Sequence, residues 1–135
     1  MCAGASVALS GHNLEESKRT NDELRARTMD FAVRVLRMAE NLPRSVSGQT
    51  VARQISRSGT SVAANYRAAL RGKSRPDFIN KIAIVLEEAD ETAFWLDLAE
   101  RANFVRQEKV KLLRNETEEL VRIFSATKRT ARKNT

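Results

Sequence analysis

The chain has one cysteine, Cys2, and one histidine, His12, among its 135 residues. A single thiol closes no intramolecular disulfide and builds no thiolate metal cluster, so a reducing cytoplasm is the expected compartment. With His12 alone near the N-terminus, no Glu-x-x-His pair exists for a di-iron bundle centre, and no metal or other cofactor is expected. Ser58 and Ser61 have no imidazole to act as general base, and no glycine-rich phosphate loop is present. No stretch approaches the roughly 20 apolar residues of a membrane span. The opening MCAGASVALSGH lacks a basic start and its apolar run is broken at once, so neither secretion nor membrane insertion is expected. Aromatics are 5% of the chain, with five glycines and two prolines. That scarcity argues against a turn-rich β fold and for helices packed on helices.

What is abundant is Ala, Leu, Arg, Lys and Glu at helical spacing. Residues 1–19 show no sustained period and are expected to form a disordered leader. Thr20-Asn21-Asp22-Glu23 has the pattern of a capping box, which places the first helix start there. Leu24, Thr28, Phe31, Val35, Met38 and Leu42 then recur every three or four residues, until Leu42-Pro43 ends the helix. A second helix is predicted from about Gln49 to Leu70, with Val51, Ile55, Ser58, Val62, Asn65 and Ala69 inward and Gly72 as a left-handed terminator. Ser74-Arg75-Pro76-Asp77 opens a third helix, to about Arg101, whose inward set is Ile79, Ile82, Leu86, Ala89, Ala93 and Leu96. A fourth, about Arg106 to Thr127, carries Val110, Leu113, Thr117, Leu120 and Phe124. Residues 128–135 are expected to be a mobile basic tail. Four long helices on short connections imply one domain over residues 20–127, an all-α, antiparallel up-down-up-down four-helix bundle.

The net charge of +7 is unevenly placed. Residues 44–75 hold seven basic side chains and no carboxylate, whereas residues 76–100 hold seven acids against Lys81 alone. On the second helix Arg53, Arg57, Arg67 and Arg71 share the side opposite the Val51, Val62 and Ala69 stripe. Two roles are open to this ridge. Pairing with Glu87, Glu88, Asp90 and Glu91 is the commoner fate of a charge run. A grip on phosphates, with Lys73 alongside, is the sharper alternative. Lys128, Arg129, Arg132 and Lys133 have no acidic neighbour in sequence and are candidates to follow a phosphate backbone, or to serve solubility alone. The Glu87, Asp90, Glu91 cluster has the residue types of acid–base or magnesium chemistry, but ion pairing is the preferred reading, and no catalytic residue is assigned.

The third helix has more apolar surface than one bundle face uses, since Ile84, Phe94, Trp95 and Leu98 point away from Leu86 and Ala89. Glu87 and Glu91 lie among them, and this mixed face is the candidate oligomer interface. On the second helix Ser58, Gly59, Ser61, Ala63 and Ala64 are small enough for another helix to come close, despite the roughly 1 kcal/mol propensity cost of Gly59. Asn65, placed on the core stripe, is expected to be hydrogen-bonded and structural.

The segments DELRARTMDFAVRV, NLP, QISRSGTSVAANYRAA and SRPDFINKIAIVLEEADETAFWL, with the fourth-helix pattern, resemble the bacterial four-helix bundle proteins encoded in intervening sequences of 23S ribosomal RNA genes. The resemblance spans roughly Leu24 to Phe124. It implies an up-down-up-down bundle assembled as a ring, commonly a pentamer, of S23 type. It also implies kinship with the accessory variability proteins of retroelements, basic barrels that associate with reverse transcriptase and nucleic acid. No catalytic activity comes with it. The expectation is a non-enzymatic, cytoplasmic homo-oligomer that binds RNA or DNA non-specifically through basic surface and tail; the alternative is a protein-binding assembly scaffold without nucleic-acid contact.

Overall fold

The computed structural model describes residues 11–134 as four helices, with no strand among them. They are α1 (Gly11–Ala39), α2 (Val46–Leu70), α3 (Arg75–Arg101) and α4 (Gln107–Lys133). Each packs on its chain neighbour and α4 returns beside α1, which is the antiparallel four-helix bundle expected. Turns of four to six residues force the antiparallel order. Ser45 caps α2 by accepting the Gly48 amide at 3.1 Å. Ser74 caps α3 through the Asp77 amide at 3.2 Å, and Asp77 in turn accepts the Lys73 amide at 3.2 Å.

The core stripes of α1 and α4 follow the sequence closely. Thr28, Phe31, Val35, Met38 and Leu42 are buried, as are Val110, Leu113, Thr117, Leu120 and Phe124. On α2 the inward set is Val51, Ile55, Ser58, Val62, Tyr66 and Ala69. Tyr66, not Asn65, fills the position below Val62. Its ring lies 5.1 Å from that of Phe124, while Asn65 is half-buried and gives its amide to the Ser61 carbonyl at 2.9 Å. On α3 the buried set is Ile82, Val85, Ala89, Thr92, Leu96 and Ala99. Ile79 and Leu86 are half-buried on its flank, as is Ala93. Apolar and charged side chains are mixed around this helix, which leaves too weak a period to fix which residues face inward.

Both end regions are more helical than expected. α1 is already helical at Gly11, and Thr20 lies inside it, so Thr20-Asn21-Asp22-Glu23 is not a cap. Polar residues with helix-compatible propensity carry this start, helped by an Arg19–Glu23 pair at 4.0 Å and by Tyr66 donating to Asn21 Oδ1 at 3.4 Å. α4 runs on through residues 128–133, because Thr127 and Ala131 continue the Phe124 face and Ala131 is buried. Of the disordered leader expected over residues 1–19, residues 11–19 are helix instead, and residues 1–10, with Cys2, lie outside the described residues. Gly72 does not take a left-handed conformation; among the described residues the one at positive φ is Asn103, at 60°, in the α3–α4 turn.

The small residues of α2 serve packing within the chain. Gly59 is where α1 crosses α2: a Cβ there would stand 2.6 Å from Val35 Cγ1. On the other side Thr92 Oγ1 lies 2.9 Å from Ser58 Oγ, and Ser58 donates its own proton to the Gln54 carbonyl at 2.9 Å. Both hydroxyls are buried and both are satisfied, as burial demands.

Candidate nucleic-acid interface

Charge on this bundle is sorted by arginines that close the seams between helices. Arg27 joins α1 to α4, with Nε 2.7 Å and Nη2 2.8 Å from the two oxygens of Glu116, and Nη2 2.8 Å from Glu119. Arg114 joins α4 to α3 through Asp97 at 2.9 Å and Glu100 at 3.4 Å. Arg57 joins α2 to α3. Its Nη1 reaches both oxygens of Glu88, at 3.1 and 3.2 Å, and its Nη2 donates to Glu91. Gln54 accepts from Arg57 Nε and Trp95 Nε1 donates to Glu91, so the seam is a continuous polar chain. The Arg57 guanidinium, with the Trp95 indole, holds the Glu91 carboxyl below its usual range. Sequence reasoning missed Arg27 and Arg114. Both sit among other charged residues at helical spacing, and only the register between helices shows which carboxylates they meet.

The four-arginine ridge therefore divides. Arg57 is a seam residue and is neutralised. Arg53, Arg67 and Arg71 are exposed, and among the described residues none has a carboxylate within ion-pairing distance; nor does the Lys73 side chain. Arg53 lies in a shallow depression with Arg44, Glu40 and Gln49 at the α1–α2 turn. Arg67 is fourteen residues further on, roughly 21 Å along the axis at 1.5 Å per residue, and belongs to the opposite end of the bundle.

That opposite end collects most of the remaining candidates. Arg67, Arg71 and Lys73 line a notch of about 520 Å³ between the end of α2 and the start of α3, together with Ala64, Ala68, Asp77 and Lys81. In an up-down-up-down bundle α4 finishes at the end where α2 finishes, and the Tyr66–Phe124 ring contact fixes the two at one level. Lys128, Arg129, Arg132 and Lys133 lie beyond Phe124, so they are carried on helix toward the same end. Lys128 is half-buried and the other three are exposed. The start of α1 is also here and is mixed in sign, with Glu15, Asp22 and Glu23 among Lys18, Arg19 and Arg25.

The candidate interface residues of α3 separate too. Phe94 and Leu98 are exposed, at 56% and 37%. Trp95 is half-buried against the core and committed to Glu91, so its ring is not the outward group the sequence implied; Ile84 is half-buried as well. Glu87 is exposed, and neither it nor Asp90 has an ion-pair partner among the described residues, whereas Glu91 belongs to the Arg57 seam. A second exposed stripe, not anticipated from the sequence, is Met29, Val33 and Leu36 on α1, beside Arg34 and Arg37. Its spacing of four and three is present in the sequence but lies beside the stronger core stripe. Among the described residues no group of His, Cys, Asp and Glu is placed to hold a metal ion, and no helix is long and apolar enough to cross a membrane.

Residues 20–126 match the sequence profile of the 23S rRNA-intervening sequence protein family. Among solved structures the chain is similar to a protein of unknown function from the S23 ribosomal protein family of Bacteroides thetaiotaomicron, at 33% identity and a TM-score of 0.75. The similarity covers 81% of this chain and 97% of that one. No curated protein matches.

Proposed function

The chain belongs to the 23S rRNA-intervening sequence protein family, and on that premise we propose that it is a non-enzymatic, cytoplasmic bundle that holds RNA or DNA without sequence preference. The observation that carries this reading is the set of unneutralised cations at one end: Arg67, Arg71, Lys73 and Lys81 around the notch, with Lys128, Arg129 and Lys133 on the neighbouring helix end. The neutralisation of Arg57, Arg27 and Arg114 elsewhere makes the contrast meaningful, because the chain pairs its arginines where it uses them for packing. Mobility-shift titration with a mixed-sequence RNA or DNA at about 50 and 200 mM salt is the test. Six or more phosphate contacts predict an affinity loss of about 10³-fold across that range. No retention at the lower salt would overturn the reading and leave the protein-binding scaffold in its place.

The bundle acts as a ring in this reading, with a pentamer as the form suggested by family resemblance. Two unlike stripes support self-association. Met29, Val33 and Leu36 on α1 lie among Asp30, Arg34, Arg37 and Glu40, and Phe94 and Leu98 on the diagonal helix α3 lie among Glu87, Asp90 and Arg101. Unlike apolar patches on different faces of one chain fit a head-to-tail contact, the kind that closes into rings. Light scattering is expected to give five chains per particle; a monomer at working concentration would contradict the ring.

A further inference from the structure

The notch at the α2–α3 turn has a chemistry more specific than a positive surface. Its walls are four cations from two helices and the turn between them: Arg67 on α2, Arg71 and Lys73 in the turn, and Lys81 on α3. Lys81 is the one basic residue in an otherwise acidic stretch, residues 76–100, and it stands where it completes the cation set. Asp77 is the single carboxylate in the lining, and its Oδ2 is occupied with the Lys73 amide at 3.2 Å. The remaining lining residues, Ala64 and Ala68, are too short to crowd a bound group. Arg67 and Arg71, the latter at the α2 C-cap, are four residues apart, about 6 Å along the axis, and both line the notch.

No aromatic side chain lines the notch. Tight single-strand binding draws much of its affinity from bases stacked on aromatic rings. A site of four cations, two alanines and one carboxylate engaged by a backbone amide offers no ring to an unstacked base and a net positive charge to a phosphodiester, whose charge is on the outside of a duplex. Resting on the nucleic-acid reading above, we propose that this notch is a phosphate-backbone clamp for double-stranded nucleic acid, with Lys81 as a contributing residue.

The test uses the full chain and a mixed-sequence duplex of about 20 base pairs. Arg71→Ala combined with Lys81→Ala is expected to weaken binding at about 50 mM salt at least tenfold. It should also reduce the slope of log affinity against log salt by about 2, near 0.9 for each phosphate that is no longer neutralised. Neither side chain is in the core, and an unchanged melting temperature shows that the fold is intact. Arg44→Ala with Arg53→Ala, at the far end, is expected to stay within about twofold of the parent chain. If the parent binds the duplex and the notch variant binds equally well, the clamp is overturned while the general reading stands. If the parent binds no nucleic acid at low salt, both fall. A single strand of the same length bound more than tenfold tighter than the duplex would also overturn the clamp.

Discussion

Gly59→Ala puts the packing of α1 on α2 to its sharpest test. Alanine is favoured over glycine in a helix interior by about 1 kcal/mol, so on propensity alone the change would stabilise. Position 59 is buried, however, and a Cβ there would stand 2.6, 2.8 and 2.9 Å from three atoms of Val35, itself fully buried. Contacts that short require α1 to move or Val35 to leave its rotamer, and overpacking of this kind costs about 1–3 kcal/mol. The strain outweighs the propensity gain, for a net loss of about 1 kcal/mol. For a chain of this length that is a fall in melting temperature of about 3–4 °C. A double-mutant cycle isolates the cause. Val35→Ala alone deletes two buried methyl groups and costs about 2–3 kcal/mol, and in that background the new methyl of Gly59→Ala fills part of the cavity. The contact with the remaining Cβ of residue 35, at 2.9 Å, persists, so the second substitution should cost less than it does in the parent chain, with a coupling of at least about 1 kcal/mol. Circular dichroism melts of the four proteins give the answer. A rise in melting temperature for Gly59→Ala in the parent chain would refute the claim that Gly59 is there for the approach of α1.

Thr92→Val keeps the shape of the α2–α3 contact but removes the hydrogen bond to Ser58, at an expected cost of about 1 kcal/mol; adding Ser58→Ala should recover part of it, since both polar partners are then gone. Arg27→Ala should lower stability by about 1 kcal/mol, read in urea melts, because a partly exposed bidentate pair to Glu116, extended to Glu119, is the main polar tie between α1 and α4. The Glu91 carboxyl is depressed by Arg57 and Trp95. Its contribution is therefore complete above the ordinary carboxylate range and disappears as pH falls through the lowered folded value. Melts from neutral pH down into the acid range should show a shallower acid loss for Glu91→Gln than for the parent chain, and identical slopes would refute the coupling.

The number, order and direction of the helices were legible because three stripes have clear periods: Thr28 to Leu42, Val51 to Ala69, and Val110 to Phe124. α3 was legible as a helix with Ile82, Ala89 and Leu96 inward, but the rest of its inward set was not, since Val85, Leu86, Thr92 and Ala93 are all small or apolar enough to face inward. Asn65 and Tyr66 adjoin, and choosing between them required the Phe124 ring on another helix. The helical ends were missed for a related reason. An apolar stripe marks where a helix is packed, whereas α1 before Thr20 and α4 after Thr127 persist on propensity, polar pairing and the small anchor Ala131. Of the candidate site, the basic block was visible at once, but its division was not. Arg57 and Arg53 look equivalent on a helical wheel, and only the position of Glu88 and Glu91 across the seam separates them. Lys81 was hidden by the seven acids around it, and its place in the notch follows from the α2–α3 turn.

Packing and binding use different arginines in this account, and one paired measurement tests that division: melting temperature and low-salt duplex affinity for Arg57→Ala beside Arg67→Ala/Arg71→Ala. Loss of melting temperature with retained affinity in the first, and retained melting with at least tenfold weaker binding in the second, is the predicted result. Equal loss of affinity in both, with stability untouched, would contradict it.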